Sequence, residues 1–291
     1  MTPFILRRAL LSICFILLSF SVNNVHSKTF TFTAIPDQDQ TRLKQRFDKV
    51  ATYLEDTLKI DVNYIPVKSY SAAITAFRNN QVQLAWFGGL SGVQARRLVP
   101  GSQAIAQGEE DQYFKTVIIA NTKTKLTESE TLPSSPDKYT FAFGSKGSTS
   151  GRLMPEFYLR KHYQQASDLT FKKIGFSGDH SRTIALVQTG AYDLGALNYK
   201  VWEQSLLDGR IDLNQVNVIW TTPEYPDYQW TIRGDTPELW GDNFIDKVQN
   251  ALIAIDEPEL LKAFPRTKFV KADSSDYEII LQTAKSIGLV D

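Results

Sequence analysis

Residues 139–157, YTFAFGSKGSTSGRLMPEF, hold an apolar run, a loop of glycine and hydroxyl residues, and the start of a helix. The apolar run 139–143 is rich in β-formers and predicts a strand. A helix is predicted over 149–163, because Pro155 is tolerated in a first helical turn, where its missing N–H is harmless. The stretch therefore predicts one strand–loop–helix unit of an α/β fold.

The loop of this unit, 144–151, has two interpretations. A helix N-terminus presents unpaired N–H groups and the positive end of the helix dipole, so an adjacent cluster of hydroxyls forms a plausible anion-binding turn. Such a cluster stands at Ser148, Thr149 and Ser150. The alternative is an ordinary helix with a serine or threonine cap. The local sequence leaves both open.

Similar units are predicted on both sides of this stretch. Predicted strands cover 29–35, 61–67, 82–87, 103–108, 113–120, 171–175, 193–197 and 216–221, and an aromatic segment covers 225–232. Predicted helices include one with the apolar face Leu43, Phe47, Val50, Leu54 and Leu58, and others at 69–77, 91–98, 181–188, 201–207, 244–253 and 258–264. This alternation indicates open, largely parallel sheets.

The polar segment 121–138, with Pro133 and Pro136, is typical of a linker. It predicts two α/β lobes, the first formed by 28–121 plus 222–291 and the second inserted at 122–221. Ligands of open α/β sheets bind beyond the carboxyl ends of the strands. We therefore expect a ligand in a cleft between the lobes, which a hinge can close.

The N-terminus is typical of a secretory signal. Arg7 and Arg8 precede the apolar run 9–22, which is short for a membrane span, and small residues flank position 26. An uncleaved anchor is the alternative. The interpretation places cleavage before Lys28 and the mature protein in the periplasm.

Composition excludes several classes of function. The signal holds Cys14, the one cysteine of the chain, so the mature protein would have no disulfide and no cysteine ligand for a metal. The whole chain has a formal charge of zero, and loss of 1–27 removes two arginines and no acidic residue. The resulting charge of −2 argues against nucleic-acid binding. We expect a monomer without a metal or cofactor.

Five segments, in order along nearly the whole mature chain, match one known family. They are Ser69-Tyr70 before a helix, QLAWFGGL at 83–90, GSTSG at 147–151, FSGDH at 176–180 and PDY at 226–228. The chain resembles the periplasmic phosphate/phosphite/phosphonate-binding proteins of ABC transporters, which have a type II periplasmic-binding-protein fold. TAIPD at 33–37, WFGGLSG at 86–92 and FSGDHSRT at 176–183 most resemble a branch named for selenate transport.

The resemblance implies ligand-binding residues from both lobes: Tyr70, Trp86, Phe87, Gly88, Ser148, Thr149, Ser150 and His180. In the family, the hydroxyl turn grips the oxyanion and the histidine donates to a ligand oxygen. Three residues are added from their positions in this sequence: Arg182, Asn198 and Tyr199. Core packing is the alternative for the aromatic side chains, and capping is the alternative for His180.

Asn198 bears on the choice of anion. Relatives that bind aminoalkyl phosphonates carry acidic groups for the ligand amine, whereas this chain has an amide at 198, which can donate as well as accept. A site without a carboxylate would suit selenate or sulfate, which have no proton at neutral pH. Phosphate and phosphite stay open if Asp37, Asp179 or Asp227 supplies an acceptor.

The expected function is a periplasmic substrate-binding protein that delivers a small tetrahedral oxyanion to a membrane permease and ATPase. A subunit that presents the anion to a membrane sensor would have the same binding chemistry. An enzyme on this fold is disfavoured, because the mature sequence shows no metal-ligand spacing and no nucleophile with an adjacent base.

Overall fold

A computed structural model describes residues 28–262 and 264–291, and the predicted signal 1–27 lies outside them. Eleven strands are described: β1 Phe30–Ala34, β2 Val62–Tyr64, β3 Leu84–Phe87, β4 Gln103–Gly108, β5 Thr116–Asn121, β6 Thr140–Phe143, β7 Lys173–Phe176, β8 Leu194–Asn198, β9 Val216–Thr221, β10 Gln229–Ile232 and β11 Phe269–Lys271. They confirm the predicted mixed α/β class.

The described α-helices are α1 Gln40–Leu58, α2 Tyr70–Arg78, α3 Gly89–Leu98, α4 Met154–Tyr163, α5 Ser167–Thr170, α6 His180–Gln188, α7 Tyr199–Leu207, α8 Pro237–Trp240, α9 Phe244–Ile253, α10 Pro258–Leu261 and α11 Glu278–Ser286. A π-helical turn, Thr149–Leu153, leads into α4. Short 3-10 turns lie at Glu109–Tyr113, Thr122–Thr124, Pro136–Lys138 and Ser274–Tyr277.

The strands form two sheets. The first has the order β11-β4-β10-β3-β1-β2 and the second has the order β7-β6-β8-β5-β9. The chain therefore leaves the first sheet after β4, builds the whole second sheet, and returns for β10. The prediction that the first lobe runs to residue 121 is wrong for β5, which lies in the second sheet. Strand periodicity marks an element but does not show which sheet the element joins.

Both sheets are mixed, which corrects the prediction of largely parallel sheets. In the first sheet β1 is parallel to β2 and β3, but β10 is antiparallel to β3 and β4. In the second sheet β6 is parallel to β7 and β8, but β5 is antiparallel to β8 and β9. A third antiparallel pair joins β11 to β4. The strands β5 and β10 are the first that the chain forms after each crossing between the sheets, so their direction depends on that crossing.

Helix α1 shows how the sequence builds the first lobe. It begins after Asp39, whose carboxylate accepts the N–H of Arg42 at 3.1 Å. The predicted apolar face is largely confirmed, because Leu43, Phe47, Val50 and Leu54 are all buried. Phe47 then packs edge-to-face on aromatic rings of the first sheet.

Two chain segments cross between the sheets side by side. Phe114 and Tyr225 exchange two backbone hydrogen bonds of 2.9 and 3.0 Å, and the hydroxyls of Tyr225 and Thr116 lie 2.6 Å apart. We call these two segments, residues 111–116 and 222–227, the crossing ribbon. The segments that follow β1 and β7 also meet between the sheets. The N–H of His180, after β7, donates to the carbonyl of Asp37, after β1, at 2.9 Å.

Candidate functional site

The loop 144–151 folds back on itself at the end of β6. The N–H of Gly144 donates to the carbonyl of Gly151 at 2.8 Å, and a Cβ on Gly151 would lie 3.0 Å from the Gly144 Cα. Side chains at both positions would therefore force the loop open. The fold-back aims the N-terminus of the π-helical turn at the space between the sheets.

Three hydroxyls of this loop are buried, and they have different partners. Ser148 Oγ accepts the N–H of Gly151 at 2.9 Å, which makes Ser148 the cap of the π-helical turn. Thr149 Oγ1 accepts the N–H of Leu90, at the start of α3, at 3.0 Å, so this bond joins the two lobes. Ser150 Oγ has no hydrogen-bond partner within the described residues. Ser148 therefore caps the turn, whereas Ser150 keeps a hydroxyl that no described residue uses.

His180 begins α6 and is completely buried. Burial lowers the pKa of its imidazole to about 3, so the ring is neutral at physiological pH and carries one proton. Its Nδ1 accepts the backbone N–H of Asn198 at 3.4 Å, which leaves the proton on Nε2. Nε2 has no partner in the part of the chain that the structure describes. His180 is therefore a fixed Nε2–H donor.

Asp227, in the crossing ribbon, brings a carboxyl group to the same place. Its Oδ1 accepts the N–H of Gly89 at 2.8 Å, whereas Oδ2 is buried and unpartnered among the described residues. Burial raises the pKa of Asp227 to about 7, and the hydrogen bonds from Thr149 and Gly89 oppose that shift. Of the three carboxyl groups that the sequence left open as acceptors, Asp227 is therefore the one that the structure brings to Gly89 and Thr149.

Gly88 allows this approach. A Cβ at position 88 would lie 3.1 Å from Asp227 Oδ1 and 3.2 Å from Thr149 Oγ1. Gly88 therefore contributes close packing between the lobes and offers no side chain to a ligand.

Tyr70, the first residue of α2, brings a phenol from the first lobe. Ser69 caps the helix by accepting the N–H of Ala72 at 3.1 Å. The Tyr70 hydroxyl is buried and has no hydrogen-bond partner among the described residues. Burial holds its pKa well above 10, so the hydroxyl keeps its proton and can donate it to an anion.

The four residues with these unpartnered atoms lie in or against loop 144–151. Ser150 lies within it, a Cβ on Gly147 would lie 3.1 Å from the Tyr70 Cβ, and a Cβ on Gly151 would lie 3.1 Å from the His180 Cε1. Asp227 meets the same loop at Thr149. We call Tyr70, Ser150, His180 and Asp227 the four-residue site. It offers three O–H or N–H donors and one carboxyl oxygen.

The remaining predicted polar residues have other roles. Arg182 is exposed on α6, and its contact with the ligand stays a prediction. It stands two residues after His180, and residues at that spacing point to different sides of a helix. The Asn198 side chain is bound to protein groups: Oδ1 accepts the N–H of Lys200 at 2.7 Å and Nδ2 donates to the Tyr228 hydroxyl at 3.0 Å.

Three predicted aromatic residues pack against other rings. Trp86 stacks on Tyr228 with ring centroids 5.5 Å apart, Phe87 packs edge-to-face on Phe77, and half-buried Tyr199 packs edge-to-face on Phe114. These contacts are those expected of core packing, which was the alternative to ligand binding for the aromatic side chains. Sequence reasoning named Asp227 only as a possible acceptor, and the PDY segment at 226–228 was the signal that could have placed it in the site.

Across residues 28–262 and 264–291, no three or more His, Cys, Asp or Glu side chains are grouped so as to hold a metal ion. Within the same ranges, no helix combines the length and the apolar character needed to cross a membrane.

Comparisons with known proteins agree with this architecture. The profile of a family described as "ABC transporter, phosphonate, periplasmic substrate-binding protein" matches residues 32–277. A probable ABC transporter phosphite-binding protein, PhnD1 of Prochlorococcus marinus (strain MIT 9301), is 38% identical over 270 residues, covering 90% of this chain and 91% of that protein. The structure of PhnD1 in complex with methylphosphonate superposes on this chain with a TM-score of 0.86. The superposition covers 91% of this chain and 100% of the PhnD1 chain.

A more distant relative extends the comparison. The phosphonates-binding periplasmic protein of Escherichia coli (strain K12) is 26% identical over 257 residues, which cover 87% of this chain and 74% of that protein. The family profile spans both sheets and all four residues of the site. The chain therefore belongs to the family of periplasmic substrate-binding proteins of phosphonate ABC transporters.

Proposed function

We propose that this protein binds a small phosphorus oxyanion, of the phosphite or methylphosphonate type, in the four-residue site and delivers it to the permease and ATPase of an ABC transporter. One observation carries the choice of anion: the buried Oδ2 of Asp227, which is unpartnered among the described residues, beside three donors. The names of the relatives support the same ligand class.

The donors bind the charge of the anion. Ser150, Tyr70 and His180 each direct a buried O–H or N–H toward it, and the first N–H groups of the π-helical turn have no intrahelical partner. Hydrogen bonds to a charged acceptor contribute about 1.5–3 kcal/mol each. Such a set of donors holds an oxyanion without a bound metal or a formal positive charge.

Asp227 selects for an anion that can share a proton. A phosphonate-type anion carries a dissociable proton near neutral pH, which its oxygen can donate to Oδ2. A fully ionised sulfate or selenate has no proton to offer, so it fits only when Asp227 is itself protonated. A negative ligand next to the carboxylate disfavours ionisation further. Bound ligand and Asp227 together therefore hold one proton between them.

A panel of anions tests this function. We expect methylphosphonate and phosphite to bind, and sulfate, selenate and 2-aminoethylphosphonate to bind about 100-fold more weakly, since an unpaired buried group costs up to about 3 kcal/mol. Isothermal titration calorimetry at pH 8 measures all five. Equal affinity for sulfate would refute proton sharing. Tight binding of 2-aminoethylphosphonate would contradict the prediction drawn from Asn198. Another group would then accept the amine in place of a carboxylate at position 198.

Two serines separate capping from binding. Ser148→Ala removes the cap and is expected to lower the free energy of unfolding by about 1 kcal/mol. Ser150→Ala removes a hydroxyl that has no partner in the described chain, so we expect stability to be kept while methylphosphonate binding weakens about tenfold or more. Urea unfolding and calorimetry measure the two effects. Wild-type affinity in Ser150→Ala would remove this hydroxyl from the site.

We further propose that binding proceeds without turnover. The matching family and relatives are substrate-binding proteins, and the imidazole of His180 is a poor general base, because its pKa is about 3 and its Nδ1 is bound to Asn198. Phosphorus NMR after long incubation is expected to show the probe unchanged. Release of a new phosphorus species by purified protein would contradict this proposal.

A further inference from the structure

A chain of three hydrogen-bonded side chains joins the two lobes beside the four-residue site. Asn198, at the end of β8, donates from Nδ2 to the Tyr228 hydroxyl at 3.0 Å, and that hydroxyl donates to Oδ2 of Asp37 at 2.9 Å. Asn198 belongs to the second sheet, whereas Asp37 and Tyr228 flank β1 and β10 of the first. All three residues are buried, next to a cavity of about 20 Å³ that they help to line.

We propose that Asn198, Tyr228 and Asp37 form a clasp that stabilises the closed arrangement of the lobes and thereby sets the affinity for the anion without touching it. The clasp itself follows from contacts between protein groups. Only its effect on affinity rests on the function proposed above.

The use of the polar atoms separates the clasp from the site. The Tyr228 hydroxyl donates its one proton to Asp37 and accepts a hydrogen bond from Asn198, so it has no proton left for an anion. The four-residue site shows the opposite pattern, with one buried atom per side chain that is unpartnered in the described part of the chain. Groups paired across the lobes hold the lobes together, and groups left unpaired bind the ligand.

Asn198 is held rigidly for this task. Its Oδ1 accepts the N–H groups of Lys200 and Val201 at 2.7 and 3.2 Å, so the amide is fixed by the start of α7 whether or not the lobes are closed. Closing then costs little side-chain entropy. Its backbone N–H also binds Nδ1 of His180, so the residue that fastens the lobes also fixes the tautomer of a donor.

Tyr228→Phe tests the clasp because it removes one oxygen and keeps the ring that stacks on Trp86. Tyr277→Phe is the matched control. The Tyr277 hydroxyl is also buried, and it lies 3.0 Å from Oε1 of Gln107 and 3.3 Å from the backbone carbonyl of Tyr228, an atom that Tyr228→Phe keeps, so all of its contacts stay within the first lobe. Loss of stability alone would affect both variants, whereas loss of the clasp affects only Tyr228→Phe.

The distance between the lobes is the decisive measurement. Asp56 on α1 and Leu207 on α7 are exposed and lie on different lobes. The mature sequence expected after cleavage has no cysteine, so spin labels on Asp56→Cys and Leu207→Cys would report one distance by double electron–electron resonance. Without ligand, Tyr228→Phe is expected to shift this distance toward longer values, and Tyr277→Phe to leave it unchanged.

Calorimetry with methylphosphonate and phosphite gives the second readout. We expect Tyr228→Phe to bind about tenfold more weakly, because the fraction of closed protein falls. An unchanged distance distribution overturns the clasp, even if affinity falls, since the hydroxyl would then act on the ligand itself. An equal shift in Tyr277→Phe overturns it as well.

Failure of the proposed function would look different. If the wild-type protein binds neither probe, the proposed ligand class is wrong, and the distances in the unliganded variants still decide whether the clasp exists.

Discussion

Replacing Asp227 with asparagine is expected to abolish the pH dependence of sulfate binding and to raise sulfate affinity at pH 8 by about tenfold or more. In the wild-type protein Asp227 must be protonated to accept a fully ionised anion, and its pKa is about 7. Above that value each pH unit costs about 1.4 kcal/mol, a factor of ten in affinity. The side-chain amide that Asp227→Asn introduces donates to the anion at any pH, and its carbonyl oxygen can still accept the N–H of Gly89.

Stability provides an independent check on Asp227. Its pKa is raised on folding, so the unfolded chain ionises first as the pH increases. The wild-type protein therefore loses stability between about pH 4 and pH 7, relative to Asp227→Asn. Denaturant unfolding across that window measures the difference. Asp246→Asn, on the exposed face of α9, is the control and is expected to follow the wild-type curve.

Parallel pH profiles for wild type and Asp227→Asn in sulfate titrations would contradict proton sharing. Unchanged phosphonate affinity together with unchanged sulfate affinity would remove Asp227 from the site altogether.

Replacing His180 with alanine is expected to weaken methylphosphonate binding between about tenfold and 150-fold. The substitution removes a buried Nε2–H donor to a charged acceptor, which contributes about 1.5–3 kcal/mol. His180→Gln restores an N–H donor at a similar reach and should recover part of the affinity. His162→Ala is the matched control, because His162 is exposed at the end of α4.

The pH behaviour of His180 distinguishes a neutral donor from a cationic one. Its pKa is lowered to about 3 on folding, so its contribution to binding should be constant between pH 5 and pH 8. Its contribution to stability is present above about pH 6.5 and is lost as the pH falls toward 3, because the unfolded chain takes up the proton first. Affinity that rises as the pH falls from 8 to 5, and that loses this rise in His180→Ala, would show an imidazolium instead.

Hydrophobic periodicity and turn residues were sufficient to predict most elements and the hydroxyl turn. The face of α1 and the strand 140–143 before the loop lie where periodicity placed them. Sheet membership was harder. β5 alternates like any strand, but its partners are chosen by the path of the chain between the sheets, and local sequence does not encode that path.

The site was predicted less completely than the fold, for two physical reasons. Asn198 directly precedes a helix, which is the usual place for a capping residue. Its side-chain oxygen accepts N–H groups of that helix, and the sequence did not show that capping would use this oxygen. Asp227 lies in a crossing segment outside regular structure, where no periodicity shows which way a side chain points. Its carboxyl group reaches the site because Gly88 lacks a side chain that would block it.

The crossing ribbon has a consequence for how ligands are discriminated. Two antiparallel segments tied by the paired hydrogen bonds of Phe114 and Tyr225 resist sliding along their length but bend readily across it. We therefore expect the lobes to approach each other by rotation about the crossing ribbon. We expect a larger ligand to stop this rotation earlier than a smaller one, so that the angle between the lobes would depend on the size of the ligand.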